Sequence, residues 1–521
     1  MATAMVMAME IRHKTYIDTS RLLLLGASMA CLALPVSAGE WKITPSIAVN
    51  ETSTDNVALS NTNKQRDLIT DINPGIRIEG SGGRSKLRFN YQMHNLVYAK
   101  ESSRNQTQNS LNALGTLEAL ENWLFIEASG MISQQSISAF NGATPTTVNT
   151  NVNGNSTETS TYRLSPYIRG VLGGFADYQL RYNLSTTSTK TGQSFDSDTK
   201  ELVATLKGAT GLANLGWSLD ASSMTIDYSN IRSNEADRLR GVLTYQFDPQ
   251  FRVSLIGGRE ANNYASLDKE SHSIKGAGVE WSPTERTRLS VNQEDRFFGP
   301  SKSISFTHRT SGTAWKYSQS KDTTVLPAQQ QSVGLGTNFD LFFNIFETAI
   351  PDPAARAAFV NALLLSSGIS PTAQMQGGFL SSGATLQQRR EMSFALLGVR
   401  NTVTFAATQS ESQSFSQSIG TGLLLGGDFA NAQNIRQRGA SINWSHKLTP
   451  FSSLVGTFSR LNSTGTGGSA NLETNQKTIN INFQTQLGPK TNAGLGARRV
   501  VVDGSANYTE NALTGLLSHQ F

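Results

Sequence analysis

Cysteine is almost absent from this chain: Cys31 is the only one among 521 residues, and it falls in the first 38. Beyond that point neither a disulfide framework nor a thiolate-held metal is available. Hydrophobic residues are also scarce, at 38% with a mean hydropathy of -0.29. Past the leader no apolar run approaches the roughly 18 residues that a membrane-spanning helix requires. Catalytic signatures are missing too, with no Gly-x-Ser-x-Gly elbow, no His-Glu-x-x-His pair and no phosphate-cradling glycine loop. His94, His272, His308, His446 and His519 are scattered without ligand-like spacing. These absences predict no enzyme, no catalytic residue, no cofactor and no metal site. A Ser and a His meeting across neighbouring strands is the one catalytic arrangement such a sequence would hide.

What is present begins with a leader. Arg12, Lys14 and Arg21 flank the apolar run Leu22 to Leu34, and Val36-Ser37-Ala38 offers small residues for cleavage before Gly39. This pattern predicts a secretory signal peptide over residues 1–38. Ser28-Met29-Ala30 ahead of Cys31 lacks the Leu of a lipoprotein box. The rest of the chain is poor in apolar residues but carries 45 Gly, 24 Phe, 12 Tyr and 6 Trp. Disorder and a transmembrane barrel both fit that composition; disorder predicts no periodicity, and a barrel predicts alternation in segments of about ten residues.

Alternation is what the chain shows. Trp41, Ile43, Ile47 and Val49 alternate with Lys42, Thr44, Ser46 and Asn50, and Leu87, Phe89, Tyr91 and Met93 with Lys86, Arg88, Asn90 and Gln92. Leu239, Gly241, Leu243, Tyr245 and Phe247 face away from Arg238, Arg240, Thr244 and Gln246. Ile479, Ile481 and Phe483 face away from Thr478, Asn480, Asn482 and Gln484. The polar face carries Lys and Arg in strand after strand, and no second set of apolar segments exists to cover it. Short turns near 80–85, 119–123, 171–175, 208–213, 248–250, 282–286, 311, 401, 449 and 489 alternate with mostly longer polar connections. Short turns belong on the periplasmic side. The reading is all-β: a single antiparallel transmembrane β-barrel over residues 39–521, of about 22 strands with 18 to 24 acceptable.

Residues 337–392 break the pattern. Between Asp340 and Gly368 the apolar spacing turns helical, with Leu341, Phe342, Ile345 and Phe346 on one stripe and Phe359, Leu363 and Leu364 on another. Asp352-Pro353 makes a helix start and Gly368 a stop. A short helical insert near 340–368 is predicted, as a folded surface loop, a lumen plug or an amphipathic patch on the membrane.

The chain stops at Phe521, with His519, Leu517, Gly515 and Leu513 on the same face. A terminal aromatic closing a period-two strand resembles the signal read by outer-membrane assembly machinery, so that machinery is an expected partner through Phe521, alongside outer-membrane lipid. The net charge is +5, and the inward phase carries Arg77, Arg88, Arg181, Arg238, Arg240, Arg288 and Arg296. Such a lumen would favour anionic solutes such as acidic exopolysaccharide. Gln293-Glu294-Asp295-Arg296 is the densest charge on a strand, either a lumen contact or a solvated wall. Dispersed basic residues and an exported chain argue against nucleic acid.

Trp41 through Val57, with Thr54-Asp55-Asn56, followed by Asp71-Ile-Asn-Pro74-Gly75-Ile, resembles the start of outer-membrane proteins associated with PEP-CTERM and exosortase exopolysaccharide loci of Gram-negative bacteria. Ser133-Gln134-Gln135, the Pro-Asp-Pro and Arg segment at 351–356, Arg389-Arg390-Glu391 and Arg400-Asn401-Thr402 look like internal landmarks of the same family. The resemblance implies an outer-membrane barrel of surface-polysaccharide systems, a channel or export conduit. The alternative is a structural or adhesive surface barrel that retains matrix. It supplies no catalytic residues.

Overall fold

The structure is a computed structural model that describes residues 39–142, 154–190, 196–212, 214–229, 232–325, 343, 356, 360, 379–381, 383–415, 427–467 and 472–521. The strands in chain order are β1 (Glu40–Thr54), β2 (Asp67–Ser81), β3 (Ser85–Tyr98), β4 (Gln106–Leu120), β5 (Leu124–Ser136), β6 (Ser156–Leu172), β7 (Ala176–Thr189), β8 (Ser197–Ala209), β9 (Leu215–Tyr228), β10 (Asn234–Asp248) and β11 (Phe251–Asn262). They continue as β12 (Glu270–Thr284), β13 (Thr287–Arg296), β14 (Gly299–Arg309), β15 (Thr313–Thr324), β16 (Thr385–Leu397), β17 (Asn401–Ser414), β18 (Asn434–Lys447), β19 (Ser452–Thr466), β20 (Leu472–Gly488), β21 (Thr491–Gly504) and β22 (Tyr508–Gln520). Each pairs antiparallel with its chain neighbours, and β22 pairs with β1, so the 22 strands close into one barrel. Closure leaves no free sheet edge, which is the condition for crossing a bilayer with strands.

The period-two pattern decides which face meets lipid. On β1, Ile43, Ile47 and Val49 are exposed on the same side as Ile72 of β2, with Val49 opposite Ile72 and Ile43 opposite Ile78. The other face is concave, because it carries contacts that skip strands: Arg181 of β7 reaches Glu127 of β5, and Arg296 of β13 reaches Glu260 of β11. The predicted apolar faces of β1, β3, β10 and β20 all point outward.

Turn chemistry fits the short connections. In the β10–β11 turn the Asp248 carboxylate accepts the amides of Gln250 and Phe251 at 2.7 and 2.8 Å. The β6–β7 turn runs through Gly173 and Gly174 at φ +52° and +77°, a region that costs glycine little. Aromatics crowd this rim: Trp123 Nε1 donates to the Tyr178 hydroxyl at 3.0 Å, and Phe247 and Phe451 are exposed beside the turns. Phe521 belongs to the same belt, 62% exposed, its amide bonded to the Pro45 carbonyl at 3.0 Å. All ten short turns read from the sequence lie on this side. The opposite side carries the longer connections, and β6 and β20, at 17 residues each, exceed the roughly 9–11 that span a bilayer. The surplus stands above the membrane.

The leader over 1–38 lies outside the described residues, and so does nearly all of the expected insert at 340–368. Phe343, Arg356 and Val360 alone are described there, each with helical backbone, and the last residues of the expected 337–392 insert, from Thr385 on, are part of β16. Arg356 and Val360 are buried, and the Arg356 guanidinium sits 4.1 Å from the Phe343 ring centroid.

Candidate functional site

The lumen is where this chain concentrates its chemistry, and the register places all seven predicted inward arginines there. Most of those side chains are paired. Arg181 Nη1 lies 3.4 Å from Glu127, Arg240 Nη2 lies 2.7 Å from Glu294 with Asp220 at 3.9 Å, and Arg288 Nη2 lies 2.6 Å from Glu280. Arg296 lies 2.7 Å from Glu260 and 3.4 Å from Asp322. Among the described residues Arg77, Arg88 and Arg238 make no ion pair. Four of the seven arginines are thus answered by carboxylates, on the adjacent strand for Arg288–Glu280 and Arg240–Asp220 and on strands two or three away for the rest, which weakens the expected preference for anions. The cluster at 293–296 splits in the same way, with Gln293 and Asp295 outward and Glu294 and Arg296 inward.

A second feature lies lower on the wall. Phe125 of β5 and Tyr167 of β6 stack with centroids 5.0 Å apart, Arg169 stands 4.3 Å over Phe125, and Arg181 stands 4.2 Å over Tyr167. Guanidinium over an aromatic face is attractive through the ring quadrupole. The array presents flat polar and apolar surfaces side by side to the lumen.

The mouth is the feature that sequence reading missed. Towards the long connections the inward face changes from polar to apolar: Ile69, Leu96, Tyr98, Ile226, Tyr228, Ile435, Val500, Val502 and Tyr508 are all buried there. Val57 packs on Ile69, Leu96 and Tyr98, while Leu59 and Ala506 pack on Val500, Val502 and Tyr508. Farther round, Ile226 and Tyr228 of β9 join Tyr264, Val325 and Ala384, with Phe297 and Phe415 against them. The Tyr228 hydroxyl donates to the Val325 carbonyl. Adjacent residues that are both apolar, such as Leu68-Ile69 and the run Val500-Val501-Val502, are the sequence signal of this change, since a strictly one-sided strand has no use for them.

Contacts also cross the opening. The segment after β5 places Ala139 and Phe140 against Phe379, Phe429, Ala432 and Ile435, joining one side of the ring to elements beside β16 and β18. Asp428, in the short 3-10 turn Gly427–Ala430, accepts the Ala139 amide at 2.6 Å. Thr474 Oγ1 of β20 donates to the Phe140 carbonyl at 2.6 Å, and the Leu380 amide donates to the Ser136 carbonyl at 2.9 Å. Burial holds the Asp428 carboxyl above the usual carboxylate range, against the lowering effect of Ser138 and the Ala139 amide. At the β21–β22–β1 seam, Arg498 Nη2 and Thr54 Oγ1 both donate to Glu510 Oε1, at 2.7 and 3.0 Å.

The histidines remain apart. His94 meets Asp71 at 3.1 Å, His308 meets Thr287 at 2.8 Å, His446 meets Asn401 at 2.8 Å and His519 meets Thr491 at 2.9 Å, while His272 packs against Phe297. Among the described residues no group of His, Cys, Asp and Glu is arranged to hold a metal.

No family model matches the chain, and no curated protein matches it. Solved structures do. It is similar to the FrpB iron transporter from Neisseria meningitidis, with 10% identity, a TM-score of 0.50, and 92% of this chain covering 81% of that one. It also aligns with the siderophore receptor PirA from Pseudomonas aeruginosa, at 7% identity and a TM-score of 0.45, over 92% of this chain and 80% of that one. The likeness to the iron transporter overturns the resemblance to PEP-CTERM and exosortase barrels, because the fold it shares is that of a solved iron-transport barrel. The residues that suggested the resemblance have a general explanation. Trp41 to Thr54 is simply β1 and Asp71 to Ile76 lies in β2, and any barrel needs such strands. The chain has an outer-membrane β-barrel fold of 22 strands, which it shares with that iron transporter.

Proposed function

We propose that this chain is a gated outer-membrane channel whose lumen is closed at the extracellular mouth by folded-in loops and occupied by the insert that precedes β16, 337–384, as a plug. The observation that carries the reading is burial on the concave face, where a simple open pore would be wet. From β15 to β19 the inward residues Ala314, Ser393, Ala395, Thr404, Ala406, Ser441, Ser445 and Val455 are nearly all small, and all are buried. Small side chains on a lumen wall leave room for a packed element, and the connection from β15 to β16 starts at the mouth end of the same strands, between Thr324 and Thr385. Barrels of 22 strands are wide enough to need a plug. Paired lumen charges support cargo selected by shape and by the Phe125–Tyr167 array more than by net charge. The exopolysaccharide link rested on the overturned resemblance and on lumen arginines of which four of seven are paired with carboxylates.

Planar-bilayer recording tests this. The full chain is expected to open rarely. Deletion of 337–378, which spares Phe379 and β16, is expected to raise conductance severalfold with weak ion selectivity. Silence from both proteins, with both correctly folded by heat-modifiable gel migration, would sink the reading.

A further inference from the structure

The outer wall carries a charge asymmetry that transport does not require. In each strand one outward residue is the first polar position on the extracellular side of the lipid-facing apolar run. On β18, Ala440, Ile442 and Trp444 face lipid and Arg438 comes next; on β19, Leu454 and Phe458 are followed by Arg460. On β20, Ile479 and Ile481 are followed by Lys477, on β21 Leu495 and Ala497 by Arg499, and on β16 Phe394 and Met392 by Arg390. The corresponding residues on β1 to β7 are Glu51, Thr70, Asn95, Asn109, Gln134, Ser160 and Thr186, with no cation among them; β8, β11, β12 and β14 carry Lys200, Arg259, Lys275 and Lys302, but β18 to β21 are the run where four strands in succession carry one.

These five cations are exposed, and among the described residues none makes an ion pair. Amide side chains hold two of them against the wall: Arg460 Nε donates to Asn475 Oδ1 at 3.1 Å, and Arg499 Nη1 donates to Asn511 Oδ1 at 3.1 Å. Carboxylates are present but engaged or farther out. Glu411 takes Arg436 at 2.8 Å, Glu473 accepts Asn462 at 3.1 Å, and Asp503 stands two outward positions beyond Arg499. Unpaired cations directly above an apolar band lie at the depth of lipid phosphates, where basic residues near a charged membrane surface attract anionic headgroups.

We infer that the outer wall of β16 and β18 to β21 binds the phosphorylated headgroup of an outer-leaflet lipid, its acyl chains lying on Ile442, Phe458, Ile479 and Ile481. Guanidinium groups suit phosphate because they offer paired donors in one plane. Four neighbouring strands, each with one cation at its own boundary, make a cradle wider than one phosphate. A lipid carrying two phosphates fits it best.

Native mass spectrometry of the full barrel tests this, using diphosphoryl lipid A, its dephosphorylated form, phosphatidylglycerol and inorganic phosphate as probes. Diphosphoryl lipid A is expected to be retained at least tenfold more tightly than the dephosphorylated form. Combined Arg438→Gln, Arg460→Gln, Lys477→Gln and Arg499→Gln is expected to remove that preference, at about fivefold per cation. Arg77→Gln with Arg88→Gln, on the lumen wall, is expected to leave it intact. Equal retention by the fourfold variant, retention indifferent to phosphate, full competition by millimolar inorganic phosphate, or recovery of an acidic protein on this face in place of lipid would each overturn the inference. If the fourfold variant fails to show heat-modifiable migration, the single variants Arg460→Gln and Lys477→Gln are read instead, each expected to lose about fivefold.

Discussion

In the proposed closed mouth Asp428 should set how firmly the loops hold, and its two nearest substitutions should separate hydrogen bonding from charge. In Asp428→Ala the Ala139 amide, buried between Phe140 and the 3-10 turn, loses its 2.6 Å acceptor. An orphaned buried donor costs about 1–3 kcal/mol. Removing a buried carboxylate gives part of that back. The closed arrangement should lose about tenfold in population relative to the open one, near 1.4 kcal/mol. Asp428→Asn keeps an acceptor oxygen and removes the charge, so it should leave closure equal or firmer. The pH dependence follows from the same group. Its pKa is raised in the closed state, so closure binds a proton that the open state releases. Closure is then strongest at and below the ordinary carboxylate range, and is partly lost as pH rises through the raised value. Single-channel open probability between about pH 3.5 and 7 is the assay. It should climb with pH in the parent, start higher in Asp428→Ala, and be flatter in Asp428→Asn. An Asp428→Asn channel with the parental pH profile would refute the reasoning, and so would an Asp428→Ala channel that opens no more often.

Other consequences can be measured separately. Glu510→Gln leaves Arg498, only 6% exposed in its side chain, without its counter-charge, and breaking such a pair costs about 3–5 kcal/mol. The temperature of heat-modifiable migration should fall clearly, whereas Arg498→Met with Glu510→Leu should restore much of it. Leu517→Arg puts a charge on the lipid face inside the apolar band, where it costs about 2–4 kcal/mol at the midplane; folded yield into vesicles should drop, while Leu516→Arg, on the lumen face one residue before, should be tolerated better. Phe521→Ser should lower the amount of assembled barrel in cells with little change in the stability of what does assemble. Unchanged barrel levels would remove the assembly role proposed for this aromatic.

The barrel was legible because its physics is local. Alternation needs only ten residues to show, and Pro283, Pro450 and Pro489 mark hairpins without any distant information. The lumen arginines were legible by phase, but their partners were not. Arg240 and Glu294 meet because three strands of curvature bring them together, and nothing near either residue announces it. The covered mouth was hidden for a related reason. Ala139 meets Asp428, and Phe140 meets Thr474, only through closure of the whole ring. The apolar inward residues that support them look, strand by strand, like noise in an otherwise regular pattern. The family resemblance misled because residues such as Trp41, Ile43 and Ile47 record the demand of lipid on a strand, and unrelated barrels meet the same demand.

The seam between β1 and β22 sets the order of events in folding. Every other strand pair is a hairpin that forms from neighbours in the chain, but Thr54 must find Ala512, and Pro45 must find Phe521. Until that contact is made, the sheet has two raw edges with unanswered amides and carbonyls, each a template for another chain. The slow step should therefore be the zipping of these two strands, and it is in the interval before it that the protein most needs an escort.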